Sequence, residues 1–196
     1  AYLAAYPTHR KASVFTVPSK VESKSVTAVK SSAFSGVKNL KKVVLCGNLA
    51  TIGTGAFENA SSISNITIGS NITNISYSGD FKEGGSCFEG CSNLSEIIVK
   101  DSASGTEISY SVDAAGVKHP YYSKDGVLYG CAGNDKVLLK YPAQKEERTF
   151  DIPSDVTVIG SFSFAGNVFI QSVRSSGDIK EIGAYAFKKC SRLSII

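Results

Sequence analysis

The chain has 196 residues, a length that allows one sizeable core and one or two domains. Charged residues are only 19% of it while Ser and Gly are abundant, which suits strands and turns and argues against long charged helices. The net charge is +4, no run approaches the roughly 20 apolar residues of a membrane span, and five cysteines are too few, and odd in number, for a disulfide scaffold.

The charge is unevenly placed: residues 1–50 carry eight Lys/Arg against one acid, and residues 51–100 carry two against five. A basic N-terminal quarter suits an acidic partner, but a solvated basic face is the plainer reading. No leader-like segment opens the sequence, which starts at Ala1 and contains no methionine.

In chain order, Tyr2–Tyr6 reads as a strand that leads into "YPTHRKASVFTVPSKV". A repeating frame then begins at Phe34. Phe57 follows 23 residues later, and Phe164 and Phe187 are spaced likewise. Five residues before each Phe stands Val29, Ile52, Ile159 or Ile182, and Gly53, Gly160 and Gly183 follow the last three. Six after each Phe comes Leu40, Ile63, Ile170 or Leu193, and nine after comes Val43, Ile66, Val173 or Ile196. Phe88, with Leu94, Ile97 and Val99, joins the set after the inserted "SGDFKEGG".

Asp101–Val117 shows no repeat. "KDGVLYGCAGNDKVLLKYP" predicts a β-hairpin, with a strand over Gly126–Tyr129, a turn over Gly130–Asp135 and a return strand over Lys136–Tyr141. "YPAQKEERTFDIPSDV" (Tyr141–Val156) then matches Tyr6–Val21 without a gap, and Leu138 pairs with Leu3. Since the first copy holds only the return strand, the sequence is expected to be a segment of a longer array. Its last coil is expected to be unfinished and exposed.

Apolar residues alternating with polar ones, as in Ile66-Thr67-Ile68, predict short strands with one buried face. The Ile-Gly to Phe stretch is expected to turn the chain back, with Gly supplying unusual backbone angles. A unit of about 23 residues cannot bury its own apolar face, so coils must stack. Three past the anchor stand Val37, Ala60, Cys91, Asn167 and Cys190, which marks a small packing site where Cys acts as a hydrophobe.

These residues resemble the BspA-like, or Treponema-type, leucine-rich-repeat family, most closely in "DIPSDVTVIGSFSFAG" and "IGAYAFKKCSRLSII". The departures are Cys46 at the usual Pro position, Ser175 at a strand core position, and the loop before Phe88. The resemblance implies an α/β repeat solenoid, a right-handed stack of ~23-residue coils with short parallel strands on one face and turns or short helices on the other. Read so, residues 1–196 form a single repeat fragment, with coils over 1–100, an insertion over 101–150 carrying the hairpin 126–141, and coils over 151–196. The family's role implies a secreted or surface-anchored, non-enzymatic module that binds proteins, including host extracellular-matrix or cell-surface proteins. The alternative is a structural spacer of a larger enzyme or glycan-binding surface protein.

No catalytic motif emerges. His9 and His119 stand apart from any nucleophile, and Cys87-x3-Cys91 lacks a second pair for zinc. Asp80, Glu83 and Glu89 lack regular calcium-loop spacing. Tyr121, Tyr122, Tyr129 and Tyr141 admit stacking on a sugar, although hairpin packing explains them as well. Triplets at Asn59, Asn65, Asn71, Asn74 and Asn93 fit glycosylation acceptors or the chance yield of a Ser- and Asn-rich repeat. No cofactor is expected. The outward strand positions are Lys42 and Val44, Asn65 and Thr67, Glu96 and Ile98, and Ser172 and Arg174. Their mixed chemistry suits a protein ligand better than nucleic acid, which calls for a consistent basic stripe. The hairpin tip Gly130–Asp135 is a second candidate contact.

Overall fold

The computed structural model describes residues 1–7, 11–45, 47–76 and 81–196, and for Phe81 the backbone only. Cys46, His9 and Asp80 therefore lie outside the described residues. In the first block the strands are β1 (Tyr2–Leu3), β2 (Val14–Thr16), β3 (Lys20–Val21), β4 (Lys24–Ser25), β5 (Ala28–Val29), β6 (Lys42–Leu45), β7 (Thr51–Ile52), β8 (Asn65–Gly69), β9 (Asn74–Ile75) and β10 (Glu96–Lys100). A 3-10 helix, Phe81–Phe88, precedes β10. Then come β11 (Tyr121–Lys124), β12 (Val127–Ala132), β13 (Asp135–Lys140), β14 (Thr149–Ile152), β15 (Val158–Ile159), β16 (Ser172–Ser175) and β17 (Glu181–Ile182). Among the described residues the helical part of the expected α/β character is this one 3-10 segment, and the other coils return through turns.

Each coil contributes one short strand and one longer strand to two different parallel sheets. The short strands pair in the order β1-β5-β7-β9 and the longer ones in the order β2-β6-β8-β10. Alternate residues of the longer strands point inward, so Val43, Ile66 and Ile97 meet in register and are buried. Beyond the first block, β13, β15 and β17 run parallel, as do β14 and β16. The anchors bring a third set of bonds: the Phe34 amide donates to Ala56 O (2.7 Å) and the Phe164 amide to Ala186 O (2.8 Å).

The anchors stack as an aromatic ladder. Phe34 and Phe57 are nearly parallel with centroids 4.9 Å apart, Phe57 and Phe88 lie 5.7 Å apart, and Phe164 and Phe187 lie 5.0 Å apart. Each ladder starts on a tyrosine: Tyr6 against Phe34 at 5.8 Å, and Tyr141 against Phe164 at 5.0 Å. Tyr141 lies 23 residues before Phe164, and Phe15 and Phe150 stand nine past the two tyrosines. The coil frame thus has two further anchors, which a search on Phe passes over. The sequence spacing from Tyr6 to Phe34 exceeds 23 residues, and the small antiparallel pair β3–β4 lies in the added length.

The glycines of the Ile-Gly pairs have a different role from the expected one. None of the three has a positive φ. A Cβ on Gly53 would lie 2.3 Å from the Ser31 amide nitrogen, and one on Gly183 would lie 2.5 Å from that of Ser161. Glycine is there because the backbones of neighbouring coils approach too closely for a side chain. The left-handed angles fall two residues either side of the anchor. After it they occur at Gly36, Asn59, Gly90, Gly166 and Lys189, and before it at Ser32, Gly55, Phe162 and Tyr185.

Between the blocks, β11, β12 and β13 form an antiparallel meander whose last strand passes into the parallel stack at β15. The strands β12 and β13 extend farther than the sequence suggests and confine the hairpin tip to Gly133–Asn134. This insertion covers the free edge of β10: the Ile97 amide donates to Gly126 O and the Ile108 amide to Val99 O, both at 2.9 Å.

Candidate functional site

Because β6, β8 and β10 are adjacent and in register, six of the eight expected face residues stand side by side in two rows. Lys42, Asn65 and Glu96 form one row, and Val44, Thr67 and Ile98 the other. Val14 and Thr16 of β2 extend both rows by one coil, and Val14 is exposed. They were missed because that coil is anchored by Tyr6. The signal that locates them is Phe15, nine past Tyr6.

Two of the three residues in the polar row are bonded to each other. Asn65 Nδ2 donates to Glu96 Oε1 (2.5 Å), and Ser64 Oγ donates to Asn65 Oδ1 (2.6 Å). Lys42 is exposed, and Asn65, Val44, Glu96 and Ile98 are half-buried. Thr67 was expected to face outward but is only 8% exposed, since Val44 and Ile98 flank it in the neighbouring strands.

Ser172 and Arg174 lie apart from these rows. Their strand β16 pairs only with β14 within a named sheet, and the insertion takes the edge of β10 where β14 would have continued the sheet. Arg174 is exposed and in register with Asp151. Ser172 is a second correction: it lies between Thr149 and Ile195, is 5% exposed, and its hydroxyl is buried without a hydrogen bond. The expected single face is therefore one ribbon of six residues and a separate charged site at Arg174.

The remaining chemistry-bearing residues are mostly engaged in packing. Cys91 Sγ contacts Phe57 O at 3.0 Å and Cys190 Sγ contacts Phe164 O at 3.1 Å, the same contact in two coils. Burial pushes the Cys87 and Cys91 thiols up to about 12 and raises that of Cys190, so these groups stay protonated and poorly nucleophilic at neutral pH. Asn167, fully buried at the same coil position, donates to Pro142 O and Lys145 O and accepts from the Phe169 and Ile170 amides.

Glu83 accepts from Ser161 Oγ at 2.6 Å and Glu89 pairs with Lys188 at 2.8 Å, so both carboxylates bind other coils. Among the described residues no group of three or more His, Cys, Asp or Glu side chains could hold a metal ion. His119 lies 3.7 Å from the Asp113 carboxylate. The amides of Asn71 and Asn93 donate to Gly47 O and Ser61 O, linking adjacent coils.

Lys140 is buried and its ammonium donates to Phe162 O (3.0 Å) and Ala165 O (3.1 Å). Burial pushes its pKa down to about 8, against the opposing pull of groups that include Glu89. The four tyrosines separate into two pairs. The Tyr121 hydroxyl accepts from the Ile75 amide (3.0 Å), and the Tyr141 hydroxyl donates to Glu147 (3.1 Å) while its ring starts a ladder. Tyr122 and Tyr129 stack on each other at 5.1 Å and border a cleft.

Among the described residues no helix is long and apolar enough to cross a membrane. No curated protein matches the chain by sequence. Among solved structures, the pneumococcal vaccine antigen PcpA is similar over 99% of this chain and 53% of that one, with 18% identity and a TM-score of 0.57. A leucine-rich repeat protein from Eubacterium ventriosum is similar over 90% of this chain and 51% of that one, with 20% identity and a TM-score of 0.51. The likeness is one of fold, and the chain spans about half the length of each. Residues 13–112 and 144–196 match the BspA type leucine rich repeat region in 6 copies. The chain belongs to that BspA-type leucine-rich-repeat family.

Proposed function

We propose that the chain is a non-enzymatic protein-binding module of a secreted or cell-surface protein, and that its contact surface is the accessible part of the ribbon, Lys42, Val44, Asn65, Glu96 and Ile98, around the buried Thr67. The observation that carries this reading is the aliphatic pair Val44 and Ile98, half-exposed on either side of Thr67 and beside the hydrogen-bonded pair Asn65 and Glu96. Such a surface offers apolar area to a partner, with Lys42 at its edge as the charged group left for the partner to pair. Repeat stacks commonly bind along such extended strand faces. Family membership supports an extracellular setting, and adhesion to host or neighbouring cells is the corresponding role. We read the whole chain as one right-handed solenoid, since crossovers between parallel strands of one sheet take that hand.

The test is binding of the chain to a panel of immobilised extracellular-matrix proteins. Val44→Glu with Ile98→Glu is expected to reduce retention about tenfold or more, as for loss of central apolar contacts. Arg174→Glu, on the separate strand pair, is expected to leave it unchanged. Equal retention of the wild-type chain and the Val44/Ile98 variant would remove the ribbon as the contact surface.

A further inference from the structure

The insertion places Tyr110, Tyr122, Lys124, Tyr129, Lys136 and Asp155 around one cleft of about 310 Å³. That is within the usual size of small-ligand sites, about 300–1,000 Å³. Its residues come from the non-repeating arm, from all three strands of the meander and from the following coil.

Tyr122 and Tyr129 are the unusual pair. Their rings are 6% and 3% exposed, and among the described residues neither hydroxyl has a hydrogen-bond partner. Neither oxygen is among the fully buried polar atoms, so both phenol groups reach solvent at the cleft they line. The rings are fixed by packing while the hydroxyls remain free to bond a ligand. Tyr110 differs: it is 69% exposed at the same cleft and presents an open ring face.

The charges also point to a ligand. Lys136 is paired with Asp155, whereas Lys124 is exposed and has no ion pair among the described residues. The cleft therefore carries one positive charge in excess, on a side chain free to bind an anion. Burial, with the Asp155 carboxylate nearby, raises the pKa of the Tyr122 hydroxyl and keeps it a neutral donor.

We propose that this cleft binds an acidic saccharide, a sugar ring bearing a carboxylate. The apolar C–H face of the ring lies on Tyr110, its hydroxyls bond the phenol groups of Tyr122 and Tyr129, and its carboxylate meets Lys124. The residues are separate from the ribbon, so this site stands or falls independently of protein binding there.

The test uses amide chemical-shift titrations of the 196-residue chain with methyl β-glucuronide, methyl β-glucoside and hippurate. The glucuronide is expected to shift the amides of Tyr110, Tyr122 and Tyr129. The glucoside should shift the same amides with about tenfold weaker affinity, the loss of one charge-assisted bond. Tyr110→Ala should weaken the glucuronide about tenfold, since an aromatic face is lost. Lys124→Gln should bring the two sugars to equal affinity. The melting temperature of both variants is expected to stay near that of the parent, which separates lost binding from lost fold. The proposal is overturned if neither sugar shifts these amides or if Tyr110→Ala binds the glucuronide as the parent does. Hippurate, an aromatic carboxylate, overturns the saccharide assignment if it binds the cleft as tightly as the glucuronide.

Discussion

The stacked coils and the non-repeating arm 109–119 within the insertion use the same residue types in opposite ways. In the coils, Phe34, Phe57, Phe88 and Phe164 are buried completely, each against the ring of a neighbouring coil. In the arm, Tyr110, Val112 and Val117 are exposed, while the meander that follows buries Val127 and Leu128. A position that recurs in every coil is held by contacts above and below it and has little freedom to acquire chemistry. The insertion escapes that demand, so its aromatic groups can border a cleft.

The largest expected effect comes from breaking a ladder. Phe57→Ala should cost about 3–5 kcal/mol, because the cavity would open between two other rings and cannot close by local shifts. Tyr110→Ala, the same truncation in the insertion, should stay within about 0.5 kcal/mol. Chemical denaturation of the two variants checks the contrast, and equal losses would erase it.

Gly53→Ala should cost about 3 kcal/mol or prevent folding, since the added Cβ meets backbone of the preceding coil. Gly133→Ala, at the hairpin tip where a Cβ meets nothing within 4 Å, gains no clash and pays only for its φ of +62°. Thermal melts of the pair separate close approach from backbone angle.

Lys140 lies where coil and insertion meet, and its effect depends on pH. Its folded pKa is about 8 against an ordinary value of 10.5, so the unfolded chain binds more protons between those values. The penalty for burying the charge is full below about pH 8 and fades as pH rises to about 10.5. Over that window the stability of the chain with Lys140 relative to that with Lys140→Met should rise by about 3 kcal/mol. Both chains carry Cys91→Ala and Cys190→Ala, because those thiols interact with Lys140, and the remaining titrations are common to both and cancel in the difference. Urea denaturation at pH 7 and pH 10 reads it.

The smallest expected effect lies at the turns. Lys189 has a φ of +60° where three other coils have Gly. Lys189→Gly should stabilise the chain by about 0.5–1 kcal/mol, as relief of left-handed strain outweighs the extra freedom of the unfolded state. A melting temperature lowered by that change would count against the strain.

Much of the stack was legible because one spacing recurs and each apolar offset has a single destination. Leu40, Ile63, Leu94 and Ile170 all sit in the core, as their common position implies. The first coil of each block was less legible, since Tyr6 and Tyr141 replace Phe at the anchor. The role of Gly53 was not legible at all, because only the stacked backbones reveal the missing space. For the candidate face, alternation along each strand identified Lys42 and Ile98, but the burial of Thr67 and Ser172 depends on the strands beside them. The cleft depends on five separate stretches from Tyr110 to Asp155, and no local pattern joins them.

Contacts made by the segment Lys82–Glu89 reach past the nearest coil. Lys82 pairs with Glu181 at 2.7 Å, Glu83 accepts from Ser161, and Glu89 pairs with Lys188. Each exposed pair alone contributes only about 0–1 kcal/mol. Together they join the coil before the insertion to the last two coils, which an array of purely nearest-neighbour contacts would leave free to fray. Opening the C-terminal end therefore also frees charges on the first block. That end is expected to exchange its amide protons in concert with the Lys82–Glu89 segment, not one coil at a time.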